Sequence, residues 1–201
     1  MAYTPRLNDS GMMNNPYWYS GNPFYQSGVG LPNCTCYAWG RAWECAVQNG
    51  ATNPYSEIYN NLVPDLTHAS GYAWYGQTNW NKGSTPSLGA IICYADTGGG
   101  AGHVAVVEEI DSNGNITCSN SAYGGDYFFV THSTRANNYE DGYIYVGSGQ
   151  PIFQGFIYNP FVADTPTPPD PPEPPTPTTG GKKKIWLSKR IWLRKRGLVW
   201  L

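Results

Sequence analysis

The order of patterns along this chain predicts an α+β fold, with N-terminal helices packed on an antiparallel sheet. Three observations carry that prediction. A helical pattern opens at Asn33 and runs through CTCYAWGRAWECAVQ; six short strand-like segments follow from residue 89 onward; and Gly, Asn, Ser and Tyr are abundant while only 13% of the 201 residues are charged. Such a composition suits short strands and many turns rather than a helical bundle.

Residues 1 to 30 mix Asn, Pro, Gly and aromatics (NNPYWYSGNPFYQSG) and read as irregular structure packed by its own rings. The helix after them has Pro32 before it, Asn33 as a side-chain N-cap, and Asn49 and Gly50 to end it. A second helix fits Pro54 to about Leu66. GAIICYAD, GHVAVVEEI and NITCSNSAY read as strands, the last two joined by a turn containing Asn113-Gly114, and DYFFVTHS, GYIYVG and GFIYNP follow. There is no internal repeat.

Domain boundaries follow composition. Residues 1–163 are long enough to bury a core; residues 164–181, rich in Pro and Thr, form an extended spacer of up to roughly 50 Å at about 3.1 Å per residue. Residues 182–201 are a cationic tail containing Trp186, Trp192 and Trp200. Its apolar residues come in blocks of three or four, which neither make one helical stripe nor reach the roughly 20 residues a membrane span needs.

The net charge of −2 hides this division. Eight of the 12 Lys and Arg lie in the tail, which leaves 4 basic against 14 acidic side chains before it, a balance of −10. Nucleic acid is therefore excluded as a partner of the folded part, and anionic surfaces are left to the tail. The start, MAYTPRLNDS, lacks the basic and apolar runs of a secretory signal, so synthesis and storage in the cytoplasm are expected. Five cysteines, an odd number, are expected to be thiols there.

Cys34 falls in the first turn of the long helix, where the helix dipole and a nearby imidazolium lower a thiol's pKa. His103 opens a strand directly after GGGAG, where its side chain is expected to stay accessible. From the residues alone two readings stand: a nucleophile with its base, or a small core cysteine and a structural histidine. The wording decides between them. GLPNCTCYAWGRAWE, GAIICY, GHVAVVEEI and ITCSNSAYGG, in that order, resemble the CHAP family of cysteine, histidine-dependent amidohydrolases and peptidases found in phage endolysins, over about residues 14 to 161.

That resemblance implies a papain-like fold and a peptidoglycan hydrolase, either an N-acetylmuramoyl-L-alanine amidase or an endopeptidase. It implies Cys34 as nucleophile, His103 as general base and Asn120 as the group orienting the imidazole. Many relatives have Glu at the position of Asn120 and Asn two residues later, where this chain has Ala122. A straight two-residue hairpin would pair position 103 with Gly124 and leave Asn120 roughly 13 Å along the strand, so a bulge or a longer loop is required. The Cys34 N–H is the natural oxyanion donor, with Gln26 as a side-chain alternative. Cys36 is the alternative nucleophile, but it points to another side of the helix.

No cofactor and no metal are expected: His68 and His132 have no ligand at metal spacing, and no Asp-x-Asp string precedes Cys34. Adjacent Glu108 and Glu109 point to opposite faces of a strand and cannot form a carboxylate pair. Trp18, Trp39, Trp74 and Tyr123 are candidates for a substrate groove or for the core. The expected partners are bacterial peptidoglycan and, through the tail, an anionic envelope surface of lipid, lipopolysaccharide or teichoic acid. The protein is expected to be a monomer that acts on the wall after release or when added externally. Two competing readings are a wall-binding or membrane-disrupting protein that no longer catalyses, and a general papain-like protease.

Overall fold

A computed structural model describes residues 3–163 apart from 15, 27, 29, 67–69 and 143–148. The spacer at 164–181, the tail at 182–201, His68, most of the GYIYVG segment and the side chain of Gln26 lie outside this description.

Helices come first: α1 (Pro23–Gln26), α2 (Cys34–Gln48), α3 (Tyr55–Asn61) and α4 (Gly71–Gln77). Six strands follow: β1 (Lys82–Gly83), β2 (Ile91–Asp96), β3 (His103–Ile110), β4 (Ile116–Asn120), β5 (Phe129–Ser133) and β6 (Pro151–Ile157). They form one antiparallel sheet in the order β1-β6-β2-β3-β4-β5. The α+β expectation holds. Residues 12–14 and 16–18 add two short 3-10 turns to the segment read as irregular.

Asn33 starts α2 as its residue type predicts. It is extended (φ −165°, ψ 136°), and its Oδ1 accepts the N–H groups of Thr35 at 2.9 Å and Cys36 at 3.4 Å. The helix is buried nearly all round from Cys34 to Ala46, as a central helix must be. One side packs on Val104 and Val106 of β3; elsewhere Trp18 stacks on Tyr37 at 5.1 Å, and Trp39 meets Tyr55 at 5.8 Å.

Trp18, Trp39 and Trp74 are core residues, almost wholly buried, and none of them lines a groove. Rings of that size each contribute roughly 4–6 kcal/mol of transfer free energy, which explains why they are inside. Tyr123, by contrast, is 70% exposed.

A second apolar cluster joins Ile92, Tyr94, Ala105, Val107, Ile116, Cys118 and Phe156. The interior also holds a buried ionic centre. Arg41 of α2 and Glu108 of β3 are both fully buried, and the guanidinium donates to the carboxylate through Nε and Nη2, each at 2.9 Å. Glu108 also accepts the Tyr3 hydroxyl at 2.7 Å, the Arg6 N–H at 2.8 Å and the Ser119 hydroxyl at 2.6 Å. Arg41 reaches Glu44 at 2.8 Å, and Arg6 pairs with Glu44 as well. This centre ties the amino-terminal segment, the central helix and the sheet together. Among the described residues no helix is long and apolar enough to cross a membrane.

Candidate active site

The sheet register decides whether Asn120 can reach His103. At the β3–β4 turn the Asp111 carboxylate accepts the N–H groups of Asn113 and Asn115 at 2.8 and 2.9 Å, which makes the loop longer than two residues. Ile110 then pairs with Ile116 and Glu109 with Thr117. At Glu108 the register shifts, so that Val107 pairs with Cys118 and Val106 with Ser119. Continuing that pairing puts Asn120 opposite Ala105, two residues or about 7 Å from His103 on one face of the sheet. The required bulge exists, and Glu108 is the bulged residue.

His103 Nε2 and Asn120 Oδ1 are 2.9 Å apart. The amide's orientation follows from its other contacts. Asn120 Nδ2 is 3.0 Å from the Cys118 carbonyl, which can only accept, and 3.0 Å from Thr131 Oγ1. Nδ2 must therefore face Cys118 and Oδ1 must face the ring. A neutral imidazole bound this way carries its proton on Nε2 and its basic lone pair on Nδ1.

Cys34, the first residue of α2, lies against the start of β3. Its sulfur receives the backbone N–H of Val104, the residue after His103, together with those of Thr35 and Cys34 itself. Of the candidate nucleophiles Cys34 is 8% exposed and Cys36 is fully buried, its thiol pushed up to about 12, first by burial and then by Cys34. All five cysteines are free thiols.

The expected accessibility of His103 is not what the structure has. The ring is fully buried, because α4, absent from the sequence reading, closes over the start of β3. A Cβ on Gly71 would stand 2.9 Å from the His103 backbone nitrogen, and Tyr72 donates its N–H to the Ala101 carbonyl at 3.0 Å. Gly102 (φ 66°) must be glycine, since a Cβ there would be 2.3 Å from the Tyr94 carbonyl oxygen.

Burial also changes the proton balance expected of the pair. Desolvation raises the Cys34 thiol to about 11 against the lowering by those three N–H groups, and it depresses the His103 imidazole to about 4 against the opposing hydrogen bond to Asn120. Burial therefore opposes charge on both groups, and so works against the lowering of the thiol's pKa expected from the helix dipole.

The remaining candidates are ordinary. His132 sits on β5, exposed, with Nδ1 3.2 Å from Thr117 Oγ1. Glu108 is buried and Glu109 exposed, on opposite faces as expected. Among the described residues no group of three or more His, Cys, Asp or Glu side chains is placed to hold a metal ion. Sequence reasoning also missed Ser121, whose buried hydroxyl accepts the Asn33 N–H at 3.0 Å.

Residues 24–122 match the family model described as the CHAP domain. Two solved structures are similar to the chain. An N-acetylmuramoyl-L-alanine amidase from Staphylococcus aureus shares 22% identity at a TM-score of 0.38, over 55% of this chain and 30% of that one. Ly7917, with the hydrolyzing product of MDP, shares 18% identity at a TM-score of 0.37, over 70% of this chain and 58% of that one. The chain spans less than two thirds of the length of either. The segment that matches the CHAP family model holds Cys34, His103 and Asn120.

Proposed function

We propose that the protein is a peptidoglycan hydrolase that cleaves an amide bond through Cys34, with His103 as general base and Asn120 as the group that orients the imidazole. The observation that carries this reading is the 2.9 Å contact between His103 Nε2 and Asn120 Oδ1 at the head of a strand whose next N–H points at the Cys34 sulfur. It leaves Nδ1 as the basic nitrogen, which is what a base serving a neighbouring thiol requires.

The thiol proton passes to His103 Nδ1 as sulfur attacks the amide carbonyl carbon. The tetrahedral oxyanion takes a hydrogen bond from the Cys34 N–H. The C–N bond then breaks, the leaving amine takes the proton from His103, and a thioester remains. Water, deprotonated by the same imidazole, hydrolyses the thioester and restores the thiol. Because burial disfavours charge on both groups, proton transfer and carbon–sulfur bond formation proceed together.

The bond cut is that of an N-acetylmuramoyl-L-alanine amidase or of an endopeptidase. In this reading the folded domain is 1–163, the spacer is 164–181, and the tail at 182–201 brings eight cationic side chains and three tryptophans to lipid, lipopolysaccharide or teichoic acid. In this reading a monomer acts as an endolysin does, once it gains access to the wall.

The test is turbidity loss of purified cell walls, with mass spectrometry of the released fragments to identify the bond. Cys34→Ala should abolish clearance while Cys36→Ser keeps most of it. Clearance by Cys34→Ala at the parental rate would overturn the mechanism.

A further inference from the structure

We propose that Ser121 is a positioning residue: its hydroxyl fixes the start of the nucleophile's helix against the strand that carries Asn120, and so sets the geometry between Cys34 and His103. The inference rests on the reading of Cys34, His103 and Asn120 given above and adds the group that keeps them in register.

Ser121 follows Asn120 in the chain and is fully buried. Its hydroxyl has one proton and two lone pairs, and the structure places both kinds of partner around it. The proton goes to the Asp126 carbonyl at 3.3 Å, and a lone pair accepts the Asn33 N–H at 3.0 Å. The Asp126 carbonyl is itself held in place, because it also accepts the Ala122 N–H at 3.1 Å in a turn closed by Gly125 N–H to the Ala122 carbonyl at 3.0 Å. The hydroxyl is therefore aimed at Asn33 by a small preorganised loop.

Asn33 is the N-cap of α2 and the residue before Cys34. Its side chain is committed to Thr35 and Cys36. Its N–H is the group that carries a cross-link, 88 positions along the chain, to Ser121. The first turn of α2 is thus held from two strands: by the Val104 N–H of β3 on the Cys34 sulfur, and by Ser121 at the end of β4 on Asn33. These strands also supply the base and its orienter. A nucleophile on a helix and a base on a sheet belong to separate elements, and their separation must be kept within a fraction of an ångström for productive attack. Ser121 is the cross-link that serves this purpose.

The experiment compares the full-length parent with Ser121→Ala and Ser121→Cys, with folding checked by circular dichroism. Two quantities are read: kcat and KM on solubilised peptidoglycan, and the rate at which iodoacetamide alkylates Cys34 across a pH series, followed by peptide mass spectrometry. Ser121→Ala should lower kcat about tenfold or more with KM changed less than about twofold, and should alter the pH profile of Cys34 alkylation. Ser121→Cys, which keeps a weak acceptor, should fall between parent and Ala. If Ser121→Ala does not fold, Ser121→Cys is judged by the same criteria. A folded variant with lowered melting temperature but parental kcat and parental alkylation profile would make the hydroxyl merely structural and overturn the proposal. Cys34→Ala is run in parallel: lysis by it removes the underlying reading, whereas an inert Cys34→Ala beside a fully active Ser121→Ala removes this inference alone.

Discussion

Replacing Glu108 by glutamine tests the link between the buried ionic centre and the rest of the fold. The carboxylate accepts five hydrogen bonds: from Arg41 Nε, the Ser119 hydroxyl, Arg41 Nη2, the Tyr3 hydroxyl and the Arg6 N–H. Glutamine keeps the shape but turns one oxygen into a donor, so two or three of these donors lose their acceptor, and Arg41 loses its main counter-charge while remaining fully buried. Breaking a buried pair in this way costs about 3–5 kcal/mol, against roughly 5–15 kcal/mol for a whole domain. For a domain near 160 residues each kcal/mol moves the melting temperature by about 2–4 °C, so a fall of roughly 6–20 °C is expected. Urea and thermal unfolding of Glu108→Gln beside the parent measure it. The comparison variant is Glu109→Gln, which alters an exposed carboxylate on the same strand and should move stability by less than about 0.5 kcal/mol. A Glu108→Gln protein within about 1 kcal/mol of the parent would refute the reasoning and show that Glu44 alone neutralises Arg41.

Three further outcomes follow from the site. His103 is held neutral, its pKa depressed from 6.5 to about 4, so its contribution is present above pH 6.5 and is lost as pH falls through 4; urea unfolding should show about 3 kcal/mol lost over that window, and His103→Gln should flatten the slope. Asn120→Ala should lower kcat roughly tenfold to a hundredfold with little change in KM, and Asn120→Asp should retain orientation while shifting the acid limb of the rate profile upward, because a carboxylate raises the imidazole pKa; parental kcat in Asn120→Ala would remove the orienting role. Deleting residues 182–201 should leave cleavage of purified walls unchanged but reduce killing of intact cells, most clearly at low salt where screening is weak; equal killing at every salt concentration would make the tail passive.

What was legible in the sequence was local. The start of α2 could be placed to the residue because Pro32, Asn33 and the first turn interact over three positions, and the Asn33 cap does what its side chain predicts. Strands β2, β3 and β4 were legible from alternation and β-branched content. α4 was not, because GYAWYGQ holds two glycines and little helical propensity. Its reasons lie elsewhere in the molecule: Gly71 sits on the His103 backbone, and Trp74 stacks on Phe24 at 5.5 Å. The bulge was legible as a necessity but not as a place. Strand alternation put Glu108 on the face opposite Glu109, correctly, yet nothing nearby in the chain names Arg41 and Tyr3 as its partners, which are 67 and 105 positions away.

That distance between cause and effect joins the fold to the chemistry. Glu108 is a charged residue in the middle of an apolar strand, a placement that costs free energy unless a counter-charge meets it. Arg41 meets it from α2, the helix that begins at Cys34; Ser119 meets it from β4, the residue before Asn120. The carboxylate therefore sits at the bulge that shifts β4 by one residue and is bonded to both of the elements that the shift brings together. In a straight ladder Glu108 would keep a pairing partner on β4, and Asn120 would move one residue further from His103. The helix and strand assigned the nucleophile and the orienting amide in the proposed site are thus linked at one end through Glu108 of β3, which pairs with Arg41 and accepts the Ser119 hydroxyl, and at the other by Ser121 on Asn33. Residues 34, 103 and 120 stand on three separate elements, and these two links hold α2 to β4 on either side of the bulge.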